Sequence, residues 1–363
     1  MRLRVGVVGG GLVAQAMHIH FLAAFGDRFE LTTVVDPSEA VRRGLQARYK
    51  LERVYADHRT MLAETELDAV VICSPAQTHA DVALDALAAG LHVFVEKPMC
   101  ISLADADRIV EASRSSDRVV QVGYMKRYDR AWERMLESLP ASADDLRYIR
   151  VVVHDPEFGP FFAPGDLIRG DVAPEIVATG RDALAAQVRD ATGADSPEEV
   201  YAFSEAFLGS LVHDVNLVHG LLERLGEPLP GEVVDGDWWN GGAAVTGSVR
   251  LANGARWDSA WIQLLDIFEY RESVSFFFAE EVHSLTFPSP WLKQSPTLYE
   301  VSRARDGARV TESFESYEES FARELVHFHD CVTRGVECRT PPQQARLDMD
   351  VLTRMFLAAR GRA

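Results

Sequence analysis

The sequence has no CxxC pair. Its four cysteines, Cys73, Cys100, Cys331 and Cys338, lie scattered along 363 residues. That pattern argues against a zinc ribbon or a disulfide framework and fits reduced, mostly buried thiols. Without ligand spacing, no structural metal is expected. Long apolar runs are also missing, and none approaches the roughly 20 residues needed to cross a bilayer. Positive charge is scarce: 37 Lys+Arg stand against 55 Asp+Glu, a net −18. Such a surface repels phosphate backbones and anionic membranes, so neither nucleic acid nor membrane is an expected partner. It favours solubility, and the cytoplasm is the expected location. No internal repeat or low-complexity tract is present. The N-terminus holds one decoy: Arg2 and Arg4 precede an apolar stretch, and Ala14-Gln15-Ala16 mimics a signal-peptidase site. Gly6, Gly9, Gly10 and Gly11 in that stretch make a poor apolar helix.

What is present suggests two domains, since single cores stop growing below this length. Six apolar runs, at 3–8, 30–36, 53–56, 69–74, 92–96 and 119–123, alternate with amphipathic stretches such as 38–49, 79–89 and 103–113. Strands this apolar are buried on both faces, as in a parallel sheet covered by helices. The expected class is α/β: a doubly wound Rossmann domain over 1–125. The first run ends in Gly9-Gly10-Gly11-Leu12-Val13-Ala14, a GxGxxG/A fingerprint. Gly9 permits the tight turn, Gly11 lets the backbone approach a pyrophosphate, and Ala14 allows close helix–strand packing. The helix opening there aims N–H groups and its positive end at phosphates. Asp36 follows 22 positions after Ala14. An acid there accepts hydrogen bonds from the adenine ribose hydroxyls and repels a 2′-phosphate, so NAD is expected over NADP. Asp36 could instead cap the helix that starts near Ser38, and one position can do both.

Three further segments fall at strand ends, where open α/β sheets bind ligands. They are Cys73-Ser74-Pro75-Ala76-Gln77-Thr78-His79, Glu96-Lys97-Pro98, and Gly123-Tyr124-Met125-Lys126-Arg127-Tyr128. With the fingerprint and the strand-end acid they resemble the Gfo/Idh/MocA oxidoreductases, closely from Arg4 to about Tyr128 and loosely from about 155 to 205. The resemblance implies that Gly9, Gly11, Leu12, Val13, Ala14, Asp36, Ser74, Pro75, His79, Glu96, Lys97 and Arg127 bind the cofactor. It places Glu96 and Lys97 at the nicotinamide ribose and Tyr124 at the substrate. Arg127 and Tyr124 serve domain packing in the alternative reading, and His79 a helix start without ligand contact. An ammonium at Lys97 suits the chemistry, because it can bind a substrate hydroxyl and stabilise the alkoxide formed as hydride leaves.

From 147 the rhythm changes to alternating strands: 147–154, 232–238, 244–251, 256–264, 273–278 and 282–287. Asn253-Gly254 is a hairpin signal, and Asp306-Gly307 between 298–303 and 309–314 suggests another. The expectation for 126–363 is an α+β domain with a mostly antiparallel open sheet, whose face would support a homodimer or homotetramer. A helix over 210–225 puts His213, Asn216 and Gly220 on one face. By resemblance His213 faces the nicotinamide, and a histidine there can accept a hydroxyl proton at neutral pH. A core histidine is the alternative. Inositol-dehydrogenase-like members carry an aspartate four residues earlier, where this chain has Gly209. Asn216 is expected to bind a substrate hydroxyl or to cap backbone. Residues 155–205 read as an insertion, a lid or oligomer contact. The closing segment around Glu324, Phe328, Val332, Gly335 and Pro341 resembles the family's helix that returns to the first domain.

The leading functional expectation is NAD-dependent oxidation of a secondary alcohol on a sugar, sugar derivative or cyclitol, with Lys97 and His213 catalytic. The ring class comes from the resemblance alone. Two alternatives stand beside it. One is a glycoside-cleaving or epimerising enzyme that recycles NAD through a 3-keto sugar. The other is a non-enzymatic NAD-binding regulator, against which Lys97 and His213 count.

Overall fold

The computed structural model describes residues 1–163, 165–227, 229 and 231–361. Two compact units emerge. One comprises Met1–Gly123, Phe162–Ala191 and Phe321–Arg346; the other Tyr124–Phe161, Thr192–Ser320 and Leu347–Ala363. The chain is therefore not cut once. Residues 162–191 of the insertion pack with the first unit, and the closing segment is divided between the two.

In the first unit, strands β1 (Leu3–Val8), β2 (Phe29–Val35), β3 (Arg53–Tyr55), β4 (Ala69–Ile72), β5 (His92–Glu96) and β6 (Val120–Gly123) form a parallel sheet in the order β3-β2-β1-β4-β5-β6. That order reverses between β1 and β4, the switch point where doubly wound sheets bind ligands. The strands need the expected apolar runs because both faces are covered. Val5, Val7, Val34, Ala69 and Val71 join Ile19, Leu45, Leu325 and Phe328 in one buried cluster. Helix starts follow local capping chemistry: Ser38, Asp57 and Ser102 each accept a backbone N–H from three residues on.

The second unit carries β7 (Leu146–Asp155), β8 (Glu232–Trp239), β9 (Ala244–Arg250), β10 (Arg256–Gln263), β11 (Arg271–Phe278), β12 (Glu281–Phe287), β13 (Leu298–Arg305) and β14 (Ala308–Phe314). Their order is β14-β13-β12-β11-β7-β10-β9-β8, antiparallel except where β10 pairs with β7. Both expected hairpins close on positive φ, at Gly254 and at Asp306-Gly307. Gly236 of β8 pairs with Gly247 of β9, and both face Met355 of the helix Pro342–Arg360. A Cβ on Gly236 would lie 1.9 Å from the Met355 carbonyl oxygen, and one on Gly247 2.4 Å from its sulfur. The paired glycines are a seat for that helix.

The helix expected at 210–225 begins earlier and changes pitch. A π-helical stretch, Ala202–Leu211, runs directly into the α-helix Val212–Arg224. Such stretches insert extra backbone and tend to sit at functional positions. Among the described residues, no helix is long and apolar enough to cross a membrane.

Candidate active site

The first unit builds a loop suited to a pyrophosphate. Gly9 has φ +95°, and a Cβ there would meet the Ser74 nitrogen at 2.5 Å, so the turn after β1 requires glycine twice over. Gly11 differs. A Cβ on it would touch nothing within 4 Å. Protein packing does not demand glycine at that place, whereas close approach of a ligand to the backbone does. Leu12 lines the same hollow, Val13 opens the helix, and Ala14 is fully buried against the sheet.

Asp36 joins the loop to the end of β2. Its carboxylate accepts from the Gly10 N–H at 2.8 Å and the Ser38 N–H at 2.8 Å. It lines a cavity of about 310 Å³ with Gly10, Gly11, Leu12, Gln15 and residues 167–170 of the insertion. Asp36 thus fixes local backbone and faces the hollow, whereas the cap of the following helix is Ser38, whose hydroxyl accepts from the Val41 N–H at 3.1 Å.

At the end of β4, Ser74 bonds Thr78 through their hydroxyls at 2.7 Å, and Thr78 donates to the Pro75 carbonyl. His79 is buried, with Nε2 at 2.6 Å from the Ser74 carbonyl and Nδ1 at 2.8 Å from that of Pro98. Its ring ties the loop after β4 to the loop after β5. Burial lowers its pKa, opposed by the two carbonyls.

Glu96 is buried, meets His18 Nε2 at 2.6 Å and accepts from the Lys97 N–H at 3.0 Å. Burial by itself would raise its pKa. The bond and charge of His18, with Lys97, outweigh that and hold it below the usual range. Glu324 completes a buried trio with ligating atoms within 4.8 Å of one another. This grouping anchors the loop that carries half-buried Lys97. Sequence reading missed it, because the three positions lie far apart in the chain.

The second unit holds the remaining expected residues. Tyr124 is buried and meets His213 edge-on, with ring centroids 6.3 Å apart. His213 is half-buried and sits just after the π-helical stretch. Arg127 is buried, donates to the Asn216 carbonyl at 3.0 Å, lies over the Trp132 ring and comes within 3.7 Å of Glu223. Gly220 gives it room, since a Cβ there would come within 2.3 Å of the guanidinium carbon. Asn216 is fully buried and donates its amide to Asp348 at 2.7 Å; Asp348 also meets His219 at 2.7 Å. These contacts commit Asn216 and Arg127 to protein partners within their own unit.

Beside His213 lies a second buried network. Lys126 contacts Glu272 and lies 3.5 Å from Asp214, and Glu272 accepts from the Tyr270 hydroxyl. Burial, then the Glu272 charge, push the Asp214 carboxyl well above its ordinary value, against the pull of Lys126. Burial would lower the Lys126 ammonium, but the two acids prevail and raise it.

The Rossmann sheet and its fingerprint match the family model described as "Oxidoreductase family, NAD-binding Rossmann fold" over residues 3–124. That family is the Gfo/Idh/MocA one, and all of the match except its last residue, Tyr124, lies in the first unit. A myo-inositol 2-dehydrogenase of Thermotoga maritima is 26% identical over 247 residues, which cover 61% of this chain and 72% of that protein. The inositol 2-dehydrogenase of Salmonella typhimurium is 26% identical over 226 residues, 62% of this chain and 56% of the relative. The chain thus spans little more than half of that second protein. Among solved structures, the UDP-N-acetylglucosamine 3-dehydrogenase of Acidithiobacillus ferrooxidans superposes with TM-score 0.73 at 18% identity, covering 99% of each chain. This last likeness shows the fold.

The first unit carries Gly9, Gly11, Leu12, Val13 and Ala14 after β1, Asp36 after β2, Ser74, Pro75 and His79 after β4, and Glu96 and Lys97 at the end of β5. The second sets Tyr124 and Arg127, from the segment after β6, against the helix that bears His213 and Asn216. Gln15, His18, Asp348 and Glu272 were missed, and Glu324 was placed only in the closing segment, not beside Glu96. Each is a polar residue inside an apolar stretch or helix, a weak signal that gains meaning only once a partner is found.

Proposed function

We propose that the chain is an NAD-dependent dehydrogenase acting on a secondary alcohol of a sugar, sugar derivative or cyclitol. The observation that carries this reading is the pairing of an open glycine, Gly11, with a half-buried lysine, Lys97, held at the end of β5 by the buried Glu96–His18 pair. The loop Gly9–Ala14 would hold the pyrophosphate, Asp36 the adenosine ribose, and the loops at Ser74–Pro75 and Glu96–Lys97 the nicotinamide half. NAD, when bound, supplies the hydride acceptor at C4. Lys97 would hydrogen-bond the substrate hydroxyl oxygen and take or release its proton. His213 would assist as a second proton acceptor, with Tyr124 against its ring. Arg127 and Asn216 are positioning residues in this account, since they fasten the helix that bears His213. The inositol dehydrogenases among the relatives support a ring polyol as substrate, and the four free cysteines support a reducing compartment such as the cytoplasm.

The test is absorbance at 340 nm of the chain with NAD and a panel of cyclitols, sugars, amino sugars and glycosides, followed by mass spectrometry. The expected result is a rise at 340 nm with one substrate class and a product two mass units lighter than its substrate. A cleaved or isomerised glycoside without net NADH would instead mean that the cofactor is recycled.

A further inference from the structure

The insertion is bound to the corner where β2 meets the following helix. Asp171 accepts from the Ser38 hydroxyl at 2.5 Å and from the Ala40 N–H at 3.1 Å, and its own N–H donates to the Ser38 oxygen at 3.0 Å. Three residues earlier, Ile168 exchanges two bonds with the Gln15 side chain: its N–H donates to Oε1 at 2.8 Å, and its carbonyl accepts from Nε2 at 3.0 Å. Gln15 meanwhile donates to the Gly10 carbonyl inside the fingerprint. Ile168 also packs on Gly44, where a Cβ would come within 2.6 Å of it. Further along, Gly180 and Gln187 bond Gln77 after β4. The segment thus spans from the β2 corner to the β4 end; Leu167, Ile168, Arg169, Gly170 and Val172 line the Asp36 cavity, and Asp171 stands at its edge through its bond to Ser38, which also lines it.

The charge placement is unusual. Two carboxylates converge on Ser38: Asp36 takes its N–H and Asp171 its hydroxyl. Arg42 stands at the same corner, donating to the Asp36 carbonyl at 2.6 Å and the Pro37 carbonyl at 2.9 Å. An arginine there, with the first N–H groups of a helix, is a donor set able to receive a phosphate. Asp171 occupies one of those N–H groups, that of Ala40, together with the Ser38 hydroxyl, and sets its negative charge there.

We propose that residues 167–172 form one wall of the adenosine site, and that Asp171, added to Asp36, makes this site reject a nucleotide bearing a 2′-phosphate. Cofactor choice is then set partly by an insertion far away in sequence. This rests on the dinucleotide reading of the fingerprint. A ribose with a free 2′-hydroxyl can give a hydrogen bond to a carboxylate, whereas a 2′-phosphate brings up to two negative charges against two carboxylates.

The test is equilibrium binding by calorimetry, on the full chain at fixed ionic strength, of ADP-ribose and 2′-phospho-ADP-ribose to the wild type, Asp171→Ala, Asp171→Asn and Asp171→Ala/Arg42→Ala. Asp171 is exposed, and circular dichroism checks that each variant is folded. The wild type is expected to favour ADP-ribose. Both single variants should narrow that preference about tenfold, roughly 1.4 kcal/mol, chiefly by gaining affinity for the 2′-phosphate. Removing Arg42 as well should widen it again. ADP-ribose bound equally by all, with an unchanged ratio, would overturn the role of Asp171 and leave the dinucleotide site standing. No binding of ADP-ribose by the wild type would overturn both.

Discussion

At the scale of single residues, a buried acid and a half-buried histidine do different work. Asp348 holds Asn216 and His219 in a fully buried site, so Asp348→Ala would strip two polar partners at once. Losses of this kind cost on the order of 3 kcal/mol, and chemical denaturation should show that drop. Asp348→Asn, which keeps the shape, should recover part of it. His213 is half-buried and meets the Tyr124 ring edge-on. His213→Ala is expected to leave ADP-ribose affinity within about threefold and to lower kcat about a hundredfold, the range of general acid–base assistance. A wild-type kcat with a lowered melting temperature would make it a core histidine instead.

Elements decide how the residues meet. The paired glycines of β8 and β9 exist because Met355 presses onto them, with backbone as the obstacle at Gly236. Gly236→Ala should therefore destabilise the chain by about 2 kcal/mol or more, whereas Gly254→Ala meets only its positive φ and should cost about 1 kcal/mol. Urea titration of the two variants distinguishes packing from backbone strain. The same contrast explains what was legible beforehand. Apolar runs, the fingerprint and the Asn-Gly and Asp-Gly turns are local signals, and each became the expected strand, loop or hairpin. The seat for Met355, the Glu96–His18–Glu324 trio and the Gln15–Ile168 bonds join positions a hundred or more residues apart in most cases. No local period encodes them. The π-helical stretch before His213 also escaped, because its composition is that of an ordinary buried helix.

Over the whole molecule the charge is strongly negative, and acid response follows from how individual carboxylates are held. Asp68 accepts from the Arg4 side chain and backbone at the start of β1 and β4, which keeps its pKa below the ordinary value. A depressed folded pKa gives stability that is complete above the unfolded value near 4 and is lost as pH falls through the folded one. Asp68→Asn should flatten that part of the stability–pH curve below about pH 4 while leaving the neutral side parallel to wild type.

In the proposed dehydrogenase the strand-end loops hold the cofactor and Lys97 carries the proton chemistry. The most direct test is Lys97→Met assayed two ways: equilibrium binding of ADP-ribose, and NADH formation with the substrate identified from the polyol panel. The expected result is ADP-ribose affinity within about threefold of wild type and turnover reduced by about a thousandfold or more. Turnover within tenfold of wild type, with binding intact, would contradict it and remove Lys97 from the chemistry.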